Sequence, residues 1–87
     1  MNPEDDYSEV ADTQLDELEV GPDIDRYNAV MDTCELVFRS PEVAHSMSSA
    51  ITTTEGIRFR LPVADHPPYK VFWSSDAPRI EAAFAHP

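Results

Sequence analysis

Arg58, Arg60 and Lys70 are the residues of this chain whose types and spacing suit chemistry. They sit in two short segments, Gly56-Ile-Arg-Phe-Arg-Leu-Pro-Val63 and Tyr69-Lys-Val-Phe-Trp73. Each segment alternates, which is the period of a half-buried strand. Ile57, Phe59 and Leu61 go to one side, and Arg58 and Arg60 to the other. Tyr69, Val71 and Trp73 go one way, and Lys70 the other. A guanidinium is a planar fork that grips phosphate through two hydrogen bonds, and an ammonium adds a point charge. Two arginines at i and i+2, beside a lysine on the next strand, fit a phosphate diester. They also suit the charge that builds when an RNA 2′-hydroxyl attacks its own phosphodiester. Neither task needs a metal or a cofactor. The simpler account of the same residues is a solvated face on which Glu81 pairs with Arg79 or Lys70.

Other chemistry is scarce. Cys34 is the only cysteine, so no intramolecular disulfide forms, and a reducing compartment is expected. His45, His66 and His86 are too scattered for a metal-ligand motif. Gly21 and Gly56 are the only glycines, too few for a phosphate-binding glycine loop. Cys34 lies on an apolar stripe and reads as a packing residue. Trp73 and Tyr69 read as core by their parity.

Strands need something to pack on, and the first half of the chain supplies it. Ile24, Tyr27, Met31, Cys34 and Phe38 recur at spacings of 3 and 4, and Val30 and Val37 widen the stripe. That pattern predicts an amphipathic helix opened by Asp23 and stopped at Ser40-Pro41. A shorter helix carrying Leu15 and Leu18, capped by Asp12 or Thr13, precedes it and breaks at Gly21-Pro22. Tyr7 to Val10 suits a short strand. Residues 45–54 read as loop, or as a short helix passing into an edge strand. Strands are expected at 56–63, 69–75 and 79–85, joined by connections short enough for antiparallel neighbours. In the last, Ile80, Ala82 and Phe84 oppose Arg79, Glu81 and Ala83. By strict alternation His86 shares the parity of Ile80 and Phe84, and faces the core unless the strand twists or ends early.

The expected architecture is a single α+β domain over residues 1–87, with N-terminal helices packed on one face of a small antiparallel β-sheet. Residues 1–6 form a frayed acidic start. At 87 residues the chain buries only about 60–65% of its unfolded surface, so the core is small. The other sheet face carries Arg58, Arg60, Lys70, Phe72, Ser74, Arg79 and Glu81, which gathers four of the six bases of the chain. The formal charge is −11. Residues 1–38 contain twelve acids and one base, and residues 39–87 contain five of each, so the acidity belongs to the helical half. That half repels nucleic acid at long range, whereas the strand half need not. The first ten residues have neither a basic region nor an apolar run, so no signal peptide is expected. No apolar stretch approaches the ~18 residues of a membrane span. A cytoplasmic protein is the expectation.

The order of a short strand, two helices and three antiparallel strands resembles the RelE/ParE family of bacterial toxins from type II toxin–antitoxin systems. Gly56-Ile-Arg-Phe-Arg-Leu61 resembles the family's strand after its helices. Tyr69-Lys-Val-Phe-Trp73 resembles its Tyr-Arg/Lys-x-x-aromatic strand. Arg79-Ile-Glu-Ala-Ala-Phe-Ala-His86 resembles its last strand, and Arg39-Ser-Pro41 its break after the second helix. The resemblance implies a RelE/ParE-like fold and, in the messenger-RNA-cleaving members, a metal-independent endoribonuclease that inhibits translation on the ribosome. Arg58 and Arg60 match the alternating pair that holds the scissile phosphate, and Lys70 matches the base of the next strand. His86 matches the C-terminal position from which an imidazole serves as general acid or base. The resemblance also implies a cognate antitoxin, with an acidic segment lying over Arg58, Arg60 and Lys70. ParE-type members instead poison DNA gyrase through protein contacts. A non-enzymatic module of the same fold, binding an antitoxin or a gyrase-type target, is therefore the alternative. An acidic nucleic-acid mimic is a third reading, resting on the acids of residues 1–38 alone.

Overall fold

The computed structural model describes residues 6–75 and 77–86. The frayed start expected at 1–6 therefore lies almost wholly outside the described residues. Three helices, α1 (Glu9–Val20), α2 (Ile24–Arg39) and α3 (Pro41–Met47), precede four strands, β1 (Ser49–Thr53), β2 (Gly56–Pro62), β3 (Tyr69–Ser74) and β4 (Arg79–Ala85). The strands form one antiparallel meander in the order β1-β2-β3-β4. The chain is thus an α+β domain with its helices on one sheet face. Among the described residues no helix is long and apolar enough to cross a membrane.

α1 starts earlier than its apolar pattern predicts. Ser8, not Asp12 or Thr13, is its N-cap, and the Ser8 hydroxyl accepts from the Ala11 amide. Ser8 wins because its backbone is already anchored. Its N–H donates to the Ile80 carbonyl at 2.9 Å, and its hydroxyl donates to the Glu81 carbonyl. The expected strand at 7–10 shrinks to one parallel bridge between Tyr7 and Ile80. α2 begins at Asp23 as expected, with the Asp23 carboxylate accepting from the Arg26 amide at 3.0 Å. Its buried line is Val30, Cys34 and Val37. Ile24, expected on that line, is 51% exposed. Of the alternatives for residues 45–54, helix followed by edge strand is the one that forms.

α1 packs on β4, α2 on β3 and β4, and α3 on β2. The core between them joins Ala11, Leu15, Val30, Cys34, Val37 and Ala44 to Leu61, Val63, Val71, Trp73, Ile80 and Ala83. Trp73, almost fully enclosed, donates its indole N–H to the Ser48 hydroxyl at 3.1 Å, so its polar atom is not stranded. Burial pushes the Cys34 thiol up to about 12, in keeping with a packing role. Gly56, at φ +119°, closes the β1–β2 hairpin in a conformation that other residues rarely adopt.

Two core assignments do not hold. Ile57, one residue from the hairpin turn at the start of β2, is 57% exposed. Phe84 faces the open side of the sheet. A bulge opposite Phe72 and Trp73 is the cause: Phe72 pairs with Ala82, but Trp73 pairs with Ile80, which leaves Glu81 as the extra residue. One extra residue inverts the facing of everything beyond it. Ala83 consequently turns into the core, and Ala82 and Phe84 turn out.

Candidate anion-binding face

The open sheet face is built by pairing. Arg58 lies opposite Ile51, and Arg60 lies between Ser49 and Phe72. Lys70 lies between Pro62 and Phe84. Phe72 and Phe84 stack on that face with centroids 4.8 Å apart and planes at 12°. The bulge that turns Phe84 outward also brings His86 to this side. His86 meets Phe72 edge-on at 5.3 Å and Phe84 at 6.0 Å. The sequence expectation that sends His86 to the core fails for the same reason as that for Phe84.

Arg60, Lys70 and His86 come together at one end of the face. Arg60 Nη1 is 3.4 Å from His86 Nδ1. A guanidinium has only donors, so Nδ1 is the acceptor of this contact. Lys70 Nζ donates to the His86 carbonyl at 3.0 Å and to the Pro68 carbonyl at 3.2 Å. One ammonium hydrogen is left for another acceptor. The carbonyl contacts also pin the segment that carries the imidazole.

Arg58 stands apart from this cluster. It lies four residues along the strand direction from the level of Lys70, roughly 13 Å at strand rise. Its Nη2 is 3.9 Å from a Glu55 carboxylate oxygen, and its Nη1 donates to the Ile57 carbonyl at 3.3 Å. It lines an open groove of about 560 Å³ floored by Phe72, Ala82 and Phe84 and bordered by His86. Arg60 and Lys70 do not line that groove. The four sequence candidates therefore form one cluster of three and one separate arginine.

Glu81 does not pair with Arg79 or Lys70 as the simpler account expects. As the bulge residue it accepts from the Ser74 hydroxyl at 2.9 Å instead. Sequence reasoning missed Phe84 and the bulge. The sequence carries no sign of it, since Ile80, Ala82 and Phe84 alternate regularly; only the structure shows Ile80 and Ala83, three residues apart, both buried. Among the described residues no cluster of His, Cys, Asp and Glu could hold a metal ion. The face offers cations, a stacked aromatic pair and an imidazole within hydrogen-bonding reach of a guanidinium. Those are the parts needed to hold a phosphate beside a flat apolar group. No family model matches the chain, and neither a curated protein nor a solved structure matches it.

Proposed function

We propose that the chain is a RelE/ParE-like toxin that cleaves messenger RNA on the ribosome without metal or cofactor, and that it works in the cytoplasm under control of a cognate antitoxin. The observation that carries the reading is the meeting of Arg60, Lys70 and His86 at one end of an open face beside the Phe72–Phe84 stack. Arg60 and the spare hydrogen of Lys70 hold the scissile phosphate. Arg58 holds a neighbouring phosphate along the strand. The RNA 2′-oxygen attacks its own phosphorus and the P–O5′ bond breaks. The products are a 2′,3′-cyclic phosphate and a 5′-hydroxyl, and one proton moves from the 2′-oxygen to the 5′-oxygen. When phosphate draws Arg60 away, Nδ1 of His86 is released and the imidazole becomes free to carry that proton. The two cations stabilise the charge on the phosphorane oxygens.

The charge of −11 and the engagement of Arg58 with Glu55 favour a second reading, a non-enzymatic module of the same fold that binds an antitoxin or a gyrase-type target. One experiment separates the two. The chain is expressed in a tolerant bacterium beside the Arg58→Ala/Arg60→Ala/Lys70→Ala variant, and growth and new RNA 5′ ends are followed. RNase action gives arrest with new 5′-hydroxyl ends inside translated messages, both lost in a variant that keeps the wild-type fold by circular dichroism. Arrest without cuts, unchanged in the variant, supports the binding module. No effect of either chain on growth removes the toxin reading.

A further inference from the structure

The two edges of the sheet are treated differently by the rest of the chain. The β4 edge is occupied: Tyr7 bridges to Ile80, the Ser8 amide donates to the Ile80 carbonyl, and the Gln14 side chain accepts from the Ala83 amide at 2.7 Å. At the other edge, β1 pairs only with β2 among the described residues. Thr54 and Glu55 form a two-residue turn, so Thr53 and Gly56 are the hydrogen-bonded pair that closes the hairpin. Alternation then leaves the backbone N–H and C=O groups of Ala50 and Thr52 pointing outward. Both residues are exposed. Soluble proteins commonly blunt such an edge with lysine, proline or a bulge. Here the whole run Ser46–Thr54 carries no charge and no proline.

We infer that β1 is the contact through which two copies of this chain pair, antiparallel and about a two-fold axis at Ile51. In that register Ala50 faces Thr52 of the second copy, and Thr52 faces its Ala50. Each pair exchanges both backbone hydrogen bonds, and the two Ile51 side chains meet across the axis. The two four-stranded sheets become one continuous sheet. The charge layout permits a second copy in this arrangement. The acids are concentrated in residues 1–38, and α1 packs at the opposite, β4 edge. Pairing through β1 therefore keeps the most acidic helix of each copy at the far ends, where salt screens the remaining repulsion. Exposed Ile57, cross-strand neighbour of Thr52, adds apolar surface beside the contact.

The test is the mass of the full chain in solution, by sedimentation equilibrium, up to about 0.5 mM because a short strand interface is of the weak class. The expected result is a shift from 9.8 kDa to twice that mass with rising concentration, stronger at high salt than at low salt. Thr52→Pro removes an outward N–H without touching the bonds to β2, and it holds the chain at the monomer mass. Thr52→Lys, which keeps the N–H but adds charge to the edge, weakens pairing at least about tenfold and guards against a folding defect in the proline variant. In the wild type, hydrogen exchange at the Ala50 and Thr52 amides slows by about tenfold or more as the dimer fills. A chain that stays monomeric throughout overturns the inference. So does a dimer that survives both variants, or one whose Ala50 and Thr52 amides exchange as fast as in the monomer.

Discussion

The same strands present two faces of opposite character. Toward the helices, Leu61, Val71, Trp73, Ile80 and Ala83 are closed off from water. Away from them lie Arg58, Arg60, Lys70, the Phe72–Phe84 stack and His86. On β2 and β3 plain alternation separates the two sets. On β4 alternation fails, and the extra residue Glu81 decides which side chains go where. The lesson is that a binding face can depend on a single backbone irregularity. Without the bulge, Phe84 and His86 would lie on the side of the helices, and the open face would keep its cations but lose its aromatic pair and its imidazole.

The largest break in this contrast comes from the dry face. Trp73→Ala empties the centre of the core, and such truncations cost about 3–5 kcal/mol. In a domain this small that removes most of the net stability. The expected outcome in thermal or urea denaturation is a chain largely unfolded at 37 °C.

A sharper comparison uses two neighbouring alanines. Ala83 is 2% exposed and faces the helices, and Ala82 pairs with Phe72 on the open face. Ala83→Lys forces a charge into a packed core and costs about 3 kcal/mol or more, whereas Ala82→Lys costs within about 0.5 kcal/mol. Urea midpoints of the two variants measure the difference. Equal costs would mean that the bulge is misplaced.

The last prediction is silent at neutral pH. Burial raises the Cys34 thiol from 9.0 to about 12, and burial, with Cys34 and nearby acids adding to it, raises the Tyr7 hydroxyl from 10.0 to about 12. Below pH 9 both groups are neutral in the folded and unfolded chains, so their contribution is fully present. Between pH 9 and 12 the unfolded chain loses these protons first, and stability falls as pH rises, by up to about 1.4 kcal/mol per pH unit for a fully buried group. A urea midpoint that falls from pH 9 to pH 11, with a shallower fall in Cys34→Ala, is the expected result. Identical slopes would count against ionisation of Cys34 as the cause.

Much of the fold was legible. The period of β2 and β3, the Asp23 cap of α2 and the stop at Ser40-Pro41 are local signals, and each element formed where they indicate. The start of α1 was not legible, because Ser8 is held by hydrogen bonds to Ile80 and Glu81, far along the chain. Of the candidate face, Arg58, Arg60 and Lys70 could be placed by parity, but their division into a cluster and a lone arginine could not. That division depends on register, which sets Lys70 opposite Pro62.

The sequence by itself determined the concentration of acid in the helical half, the strand period and the side of β2 and β3 on which the cations lie. Those properties follow from composition and from a two-residue repeat, and neither needs a partner. Only the tertiary structure decided where Phe84 and His86 face and which sheet edge Tyr7 and Ser8 cover. A bulge arises from how two strands fit together, and an edge is covered only if some distant segment reaches it.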